Sequence, residues 1–384
     1  MDHLLSPEEK ELQLLARKIA RAELTPVREE YDEEEKFPWP VIQTLAKSDL
    51  FRVFIPEEYE GLSDKVIDLV LVTEELSRID AGIALAIAGS ALGSAPILML
   101  ASEEQKKKYL PEVASGKKLA AFGLTEAGAG SDAGGIRTTA KRDGDSYILN
   151  GTKQWITNGG EAETYSVIAL TDKAKGPRGA SAFIIEKEMP GFTFGKKEKK
   201  LGIRCSATRE LVFEDCRVAK ENLIGREGMG FIVAMRTLDK TRPGIGAQAV
   251  GLAQGAFEAA VAYARERHQF EKPIISFQAV LHMLADMAAQ IEAARALVYA
   301  VARWVDTNPK DISKDSAISK LFPSDVAMKV TVDAVQIFGG YGFMRDYPVE
   351  KMMRDAKILQ IYEGTNQIQR NVVGQALIKE YASK

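Results

Sequence analysis

Ser146-Tyr147-Ile148-Leu149-Asn150-Gly151 is the stretch that decides how this chain is organised. β-favouring side chains run up to an Asn-Gly pair, which accepts left-handed backbone easily and is a strong hairpin signal. Around it, from Lys118 to about Ile224, short alternating runs sit between glycine-containing turns. Tyr165 to Leu170, Ala182 to Ile185 and Glu210 to Phe213 are further strand candidates. On both sides the pattern is helical instead. Upstream, helical spacing covers 7–31, 38–48, 65–79, 81–92 and 103–114. Ser6-Pro7-Glu8-Glu9 opens the first of these with an N-cap, a proline at the first helical position and a carboxylate able to close a capping box. Downstream, long amphipathic patterns cover 228–264, 275–305 and 313–338, the last stopped by Gly339-Gly340. A loop from Gln360 to Thr365 leads to a final helix over 366–380. The expected layout is α+β: helices over 1–117, a small β domain over 118–224, and a helical bundle over 225–384.

The 384 residues suit two or three domains that share substantial cores. Lys plus Arg is 51 against 54 for Asp plus Glu, a net charge of −3, so no electrostatic footprint for nucleic acid or an anionic membrane is expected. Cys205 and Cys216 cannot build a disulfide framework, and with only three histidines beside them no metal site is expected. The amino terminus lacks a basic region followed by an apolar run, so no secretory signal is expected. Ala81 to Ala101 carries no charge over 21 residues, yet Gly82, Gly89, Ser90, Gly93, Ser94 and Pro96 dilute it. It reads as a buried helix broken near Gly93–Pro96, not as a membrane span.

Five sites could carry chemistry. Gly128-Ala129-Gly130-Ser131-Asp132-Ala133 matches GxGxxA, but strand-like Ile136 to Lys141 follows where a Rossmann unit needs a helix. A tight turn and a backbone cradle for a phosphate or flavin both remain open. Trp155 and Thr157 could belong to the core, or could cover an aromatic cofactor and supply it with a hydrogen bond. Asp239-Lys240-Thr241-Arg242-Pro243 interrupts an apolar helical pattern, either as a solvated turn or to present Arg242 to a phosphate; Arg265 to Phe270 poses the same choice. Glu363 follows the apolar run Ile358 to Tyr362 and precedes a glycine. Against an apolar cavity its pKa would rise towards the range useful for a general base; a solvated loop is the plain alternative.

Together, in order and spacing, these pieces resemble the acyl-CoA dehydrogenase family. The likeness rests on Phe122 to Asp132, Trp155 to Gly159, Gln336 to Gly342 and Ile361 to Arg370, and it spans essentially the whole chain. The resemblance implies an N-terminal helical domain, a middle β-barrel or sandwich domain and a C-terminal four-helix bundle. It implies an FAD enzyme that oxidises an acyl-CoA thioester to the trans-2-enoyl-CoA. Glu363 falls on the family's base, which takes the α-proton while the β-hydride passes to flavin N5. Phe122, Leu124, Thr125, Gly130, Ser131, Trp155 and Thr157 would cradle the flavin, and Ser131 would also touch the CoA pantetheine. Arg267, Gln269, Phe270, Gln336 and Gly340 would bind the FAD of a neighbouring subunit, while Thr365 and Gln367 would reach the adenosine diphosphate portion. Asp239 and Arg242 would sit by CoA, and Tyr362 and Gly364 would line the substrate site. A homotetramer and an electron-transferring flavoprotein as acceptor follow from the same likeness; with no organellar presequence visible, a bacterial cytoplasm is expected, or the mitochondrial matrix for a processed protein.

Gln375 and Ala88 stand where the medium-chain branch has an Arg and a Glu. The small run Ala88 to Ala91 therefore suggests a roomy pocket for short or medium acyl groups, including branched or alicyclic ones. The competing readings are an acyl-CoA oxidase, for which an additional carboxy-terminal region is expected, an enoyl-CoA reductase running the reaction backwards, and a non-catalytic acyl-CoA-binding scaffold.

Overall fold

Ser6 accepts a hydrogen bond from Glu9 N while its own N–H donates to the Glu9 carboxylate, so the predicted capping box closes and helix α1 runs Pro7–Ile19. The computed structural model describes residues 2–382. One wide turn, Ala20–Leu24, follows α1, and then come α2 (Arg28–Glu33), α3 (Trp39–Lys47), α4 (Val66–Ser77), α5 (Ala81–Leu100) and α6 (Glu103–Ala114). The strands are β1 (Ala120–Gly123), β2 (Thr139–Asp143), β3 (Ser146–Thr157), β4 (Thr164–Leu170), β5 (Ala180–Glu186), β6 (Phe192–Phe194), β7 (Thr208–Ala219) and β8 (Leu223–Ile224). Helices return with α7 (Gly230–Glu266), a short β9–β10 hairpin (His268–Gln269 and Lys272–Pro273), α8 (Gln278–Asp306), α9 (Ser313–Phe338), α10 (Pro348–Leu359) and α11 (Asn366–Ala382).

Two local expectations are corrected and one open choice is narrowed. The Asn150-Gly151 pair does not reverse the chain, because β3 runs straight through it. The hairpin closes at Gly144-Asp145, where Gly144 takes φ 59° and Asp143 pairs with Ser146. Asn150 instead marks a bulge: the β3–β7 register shifts between Leu149 and Gly151, and the Asn150 side chain exchanges two hydrogen bonds with Asp215. Helix α5 is not broken at Gly93–Pro96 but continues to Leu100. Ser166 Oγ donates to the Gly93 carbonyl at 2.7 Å, in the turn whose ladder the proline disturbs. The Asp239–Pro243 cluster is likewise helical, within α7. Pro243 cannot donate to the Asp239 carbonyl, and Ser316 Oγ donates there instead, at 2.5 Å.

The strands form one sheet in the order β6-β7-β3-β2-β4-β5-β8, with β1 parallel to β4. The sheet curls until Tyr165 of β4 meets Phe192 of β6, ring centroids 5.0 Å apart, and Phe192 stacks on Phe213 of β7. Helix α5 lies directly against β1: a Cβ on Gly93 would sit 2.4 Å from Ala121 N, so only glycine permits the approach. One apolar core joins the amino-terminal helices to the sheet, and a second joins α4 and α5 to α7–α10. The helical and sheet parts thus share their cores. Helix α5 belongs to both. It is the one described helix long and apolar enough to cross a membrane, and it is largely buried.

Candidate active site

The first half of the site is the loop after β1. Leu124 is buried, and a turn from Glu126 to Ala129 brings Gly128 and Gly130 to the surface, where a side chain on either glycine would meet open space. The loop is held from inside. Lys153, fully buried on β3, donates to the Leu124 carbonyl at 3.0 Å and to the Glu126 carboxylate at 2.7 Å. Glu126 also accepts from the backbone N–H groups of Arg137 and Thr138, and Gln154 N donates to the Thr125 carbonyl. Burial works against the Glu126 charge, but Lys153 and these donors outweigh it and hold the carboxyl below its usual range. Two residues on, the β3–β7 register slips again, and Trp155 takes φ 56° with 57% of its surface exposed. Phe122, Leu124, Thr125, Trp155 and Thr157 are therefore gathered around one loop and one bulge, with Gly130 and Ser131 exposed beside them. Asn158, buried and left-handed, donates to the carbonyls of Ala86 and Ala120 and fastens this edge to α5.

The second half lies across α5. Between α10 and α11 the chain makes a turn in which Glu363 has φ 51° and Gly364 φ 92°. A non-glycine residue held at positive φ costs on the order of 1–2 kcal/mol, so the surroundings must impose it. Gln369 Nε2 donates to the carbonyls of both Glu363 and Gly364 at 3.0 Å, and Lys320 Nζ donates to the Gly364 carbonyl at 2.9 Å. Thr365 carries the next turn by accepting from Ile368 N, and Gln367 is exposed. The Glu363 carboxylate meets the Thr241 hydroxyl of α7 at 2.9 Å. Burial raises the Glu363 carboxyl to about 7, against the opposing pull of Thr241, Arg242 and Lys320. Tyr362 is tied to Gln248, whose amide donates to the Ala81 carbonyl of α5. Arg242 is only 5% exposed and is paired with Asp239 at 2.6 Å, while Asp239 also accepts from Ser313. The cluster that the sequence left open between turn and phosphate contact is thus an internal ion pair one residue from Thr241.

Beside Thr241 is a cavity of about 40 Å³, walled by Ala91, Ala95 and Leu98 of α5 together with Leu69 and Phe54. Of the expected roomy run only Ala91 reaches it. Gly89 is packed against Thr157 and Asn158, and Ser90 Oγ donates to the Ala86 carbonyl and accepts from Ala120 N. Ala88 is half-buried in the second core, and Gln375 is exposed.

A third group lies elsewhere. Arg267, Gln269 and Gly340 line a groove of about 520 Å³ with Tyr263 and Tyr341, and the Arg267 guanidinium sits 5.6 Å from the Tyr341 ring centre. Gln336 is exposed one turn earlier on α9, and Phe270, at the tip of the β9–β10 hairpin, is 86% exposed. Lys153, Glu126, Asn158, Lys320 and Gln369 were not singled out from the sequence. For Lys320 a signal existed, since Ser316, Ala317, Lys320, Ser324 and Ala327 recur at helical spacing on one buried face.

Models of the acyl-CoA dehydrogenase N-terminal, middle and C-terminal domains match residues 6–117, 121–216 and 228–378. A Clostridium acetobutylicum protein named "Acyl-CoA dehydrogenase, short-chain specific" is 46% identical over 97% of this chain and 98% of its own length. The solved butyryl-CoA dehydrogenase of Megasphaera elsdenii superposes with a TM-score of 0.95 at 46% identity, covering 97% of this chain and 99% of that one. A chain from a structure described as the electron transferring flavoprotein of Acidaminococcus fermentans, in work on flavin-based electron bifurcation, gives a TM-score of 0.96 at 50% identity over 98% of this chain and 100% of that one.

Proposed function

This chain belongs to the acyl-CoA dehydrogenase family, and from that premise we propose that it oxidises a short-chain acyl-CoA to the trans-2-enoyl-CoA with Glu363 as the base. The observation that carries the reading is the Glu363 carboxyl itself. It is fixed on a strained turn, touches Thr241, and is raised to about 7 by burial. A base poised near neutrality binds a proton more strongly than a solvated carboxylate and is still ionised often enough to act. The left-handed turn sets the direction of both the Glu363 side chain and its backbone N–H. That N–H is the family's donor to the thioester oxygen, where a preorganised donor is worth about 3 kcal/mol.

A flavin fits the residues of the first half. Gly128 and Gly130 leave room for close approach to backbone, and exposed Trp155 offers an aromatic face beside the polar Thr125 and Thr157. Phe122, Leu124, Gly130 and Ser131 would complete the cradle for FAD, which when bound supplies the acceptor for the β-hydride. Thr365 and Gln367 would reach its adenosine diphosphate portion. The small cavity beside Thr241 has room for about three water-sized groups, which favours a short acyl chain over a long one. Ser131, Tyr362 and Gly364 would bound the thioester and CoA, with the internal Asp239–Arg242 pair behind that wall. The groove of Arg267, Gln269 and Gly340, with exposed Phe270 and Gln336, supports a second copy's FAD as its occupant and hence a homotetramer. Electrons would leave to an electron-transferring flavoprotein.

The test uses the flavin-loaded enzyme and anaerobic butyryl-CoA. Wild type loses its visible flavin absorbance within the turnover time, and Glu363→Gln, at equal flavin content, does so at least about a thousandfold more slowly. Bleaching of Glu363→Gln at the wild-type rate removes Glu363 from the role of base.

A further inference from the structure

Beneath the Glu363 turn lies a lysine that proton abstraction does not consume. Lys320 of α9 is fully buried, and its Nζ donates to two neutral oxygens, the Gly364 carbonyl at 2.9 Å and Asn366 Oδ1 at 2.8 Å. Asn366 is itself held, donating to Asp325 Oδ1 at 2.7 Å and to Ser324 Oγ at 2.9 Å. Gln369 Nε2, from α11, holds the Glu363 carbonyl and shares the Gly364 carbonyl with Lys320, so the peptide planes on either side of Gly364 are both pinned, the second of them by side chains from two helices. Without those donors two partly buried carbonyls would lack protein partners, and the positive φ of Glu363 would relax towards ordinary backbone. We propose that Lys320 is a positioning residue for the base: it locks the left-handed Glu363–Gly364 turn and supplies a buried positive charge that favours the ionised carboxylate. The inference rests on the reading of Glu363 as the base.

The charges facing this pair are few. Arg242 of α7 adds a second positive field, drawn off by its contact with Asp239, and Asp325 lies on α9 with Lys320. Tyr362 is the titratable neighbour on the turn itself. Burial pulls the Lys320 ammonium down to about 7, with Glu363 the leading group that holds its proton on. Each member of the pair therefore favours the charged form of the other, and removing one shifts the titration of the other in a predictable direction.

The experiment is the pH dependence of kcat and KM for butyryl-CoA in the flavin-loaded Lys320→Met enzyme. We expect kcat to fall about tenfold or more, because a base displaced by a fraction of an ångström loses its alignment with the α-proton. KM and flavin content stay near wild type, and the acidic limb of the profile moves to higher pH because the carboxylate has lost a favourable charge. An unchanged kcat with an unmoved limb overturns the proposal, as does a loss of activity that follows loss of flavin with the limb unmoved. Gln369→Met carries the test if Lys320→Met does not fold. It removes the other donor but no charge, so kcat falls while the limb stays in place; an unchanged kcat there overturns the clamp. Glu363→Gln separates this failure from the larger one: if that variant keeps turning over, the base has been misassigned, whereas an inactive Glu363→Gln beside an unaffected Lys320→Met sinks only the role of Lys320.

Discussion

Two loops frame the site, and each is held from behind by a fully buried lysine, but the two lysines are completed differently. Lys153 reaches the Leu124 carbonyl and also a carboxylate, Glu126, at 2.7 Å, and that carboxylate is satisfied in turn by two backbone N–H groups. Lys320 reaches the Gly364 carbonyl and an amide oxygen, and the charge most favourable to it is that of Glu363. The first ion pair closes on itself and makes a strut. The second is left open towards Glu363, the base of the proposed reaction. Burying a charge is tolerated in both places, but only at the second is its compensation tied to the proposed base.

The largest effect should come from breaking the strut. Lys153→Met leaves the Glu126 carboxylate buried without its cation and should cost about 3–5 kcal/mol of stability, read from the denaturant midpoint. Adding Glu126→Gln should restore part of it, and an unchanged midpoint in the single variant would erase the distinction drawn between the two lysines. A smaller effect, opposite in sign, is expected at the open end. The folded-state pKa of Glu363 lies above its ordinary value, so the folded chain binds more protons than the unfolded one between pH 4.5 and about 7. Stability falls as pH rises through that window, and above it the cost is complete. Glu363→Gln should therefore stabilise the flavin-free protein by about 1–3 kcal/mol at pH 8 and have little effect at pH 4.5, measured by thermal unfolding at both. Smallest is the contribution of the hydroxyl at Thr241, which lowers the Glu363 pKa. In Thr241→Val the acidic limb of kcat should move up by about half a pH unit, equivalent to about 0.7 kcal/mol. No movement would make Arg242 and Lys320 the dominant opponents of burial.

What the sequence disclosed follows the same division. Helix α9 is found at the limits expected of it, 313–338, because Gly339-Gly340 signals its end locally. Glu363 stood out because a lone carboxylate followed an apolar run. The two lysines did not, since a lysine is a surface residue by default and its burial is decided by partners such as Glu126 and Asn366 that come from distant elements. The failures were also local rules overridden from afar. Asn150-Gly151 carried the right backbone freedom but became a bulge, because Gly144-Asp145 offered the earlier two-residue turn. Pro96 did not break its helix, where Ser166 bonds the Gly93 carbonyl in the turn before it, and at Pro243, inside the helix expected over 228–264, Ser316 bonds the Asp239 carbonyl that the proline leaves free. No reading of a window around either proline contains those serines.

Helix α5 has a consequence for how the chain comes to be made. Its 20 residues carry no charge, and of the partners that cover them only α4 is encoded before it, while β1, β4 and α7 all follow. A growing chain therefore carries an uncovered greasy rod while the ribosome translates the residues that will enclose it, and α7 is not complete until Glu266. Over that interval the nascent chain presents the same surface that insertion machinery and holding chaperones bind.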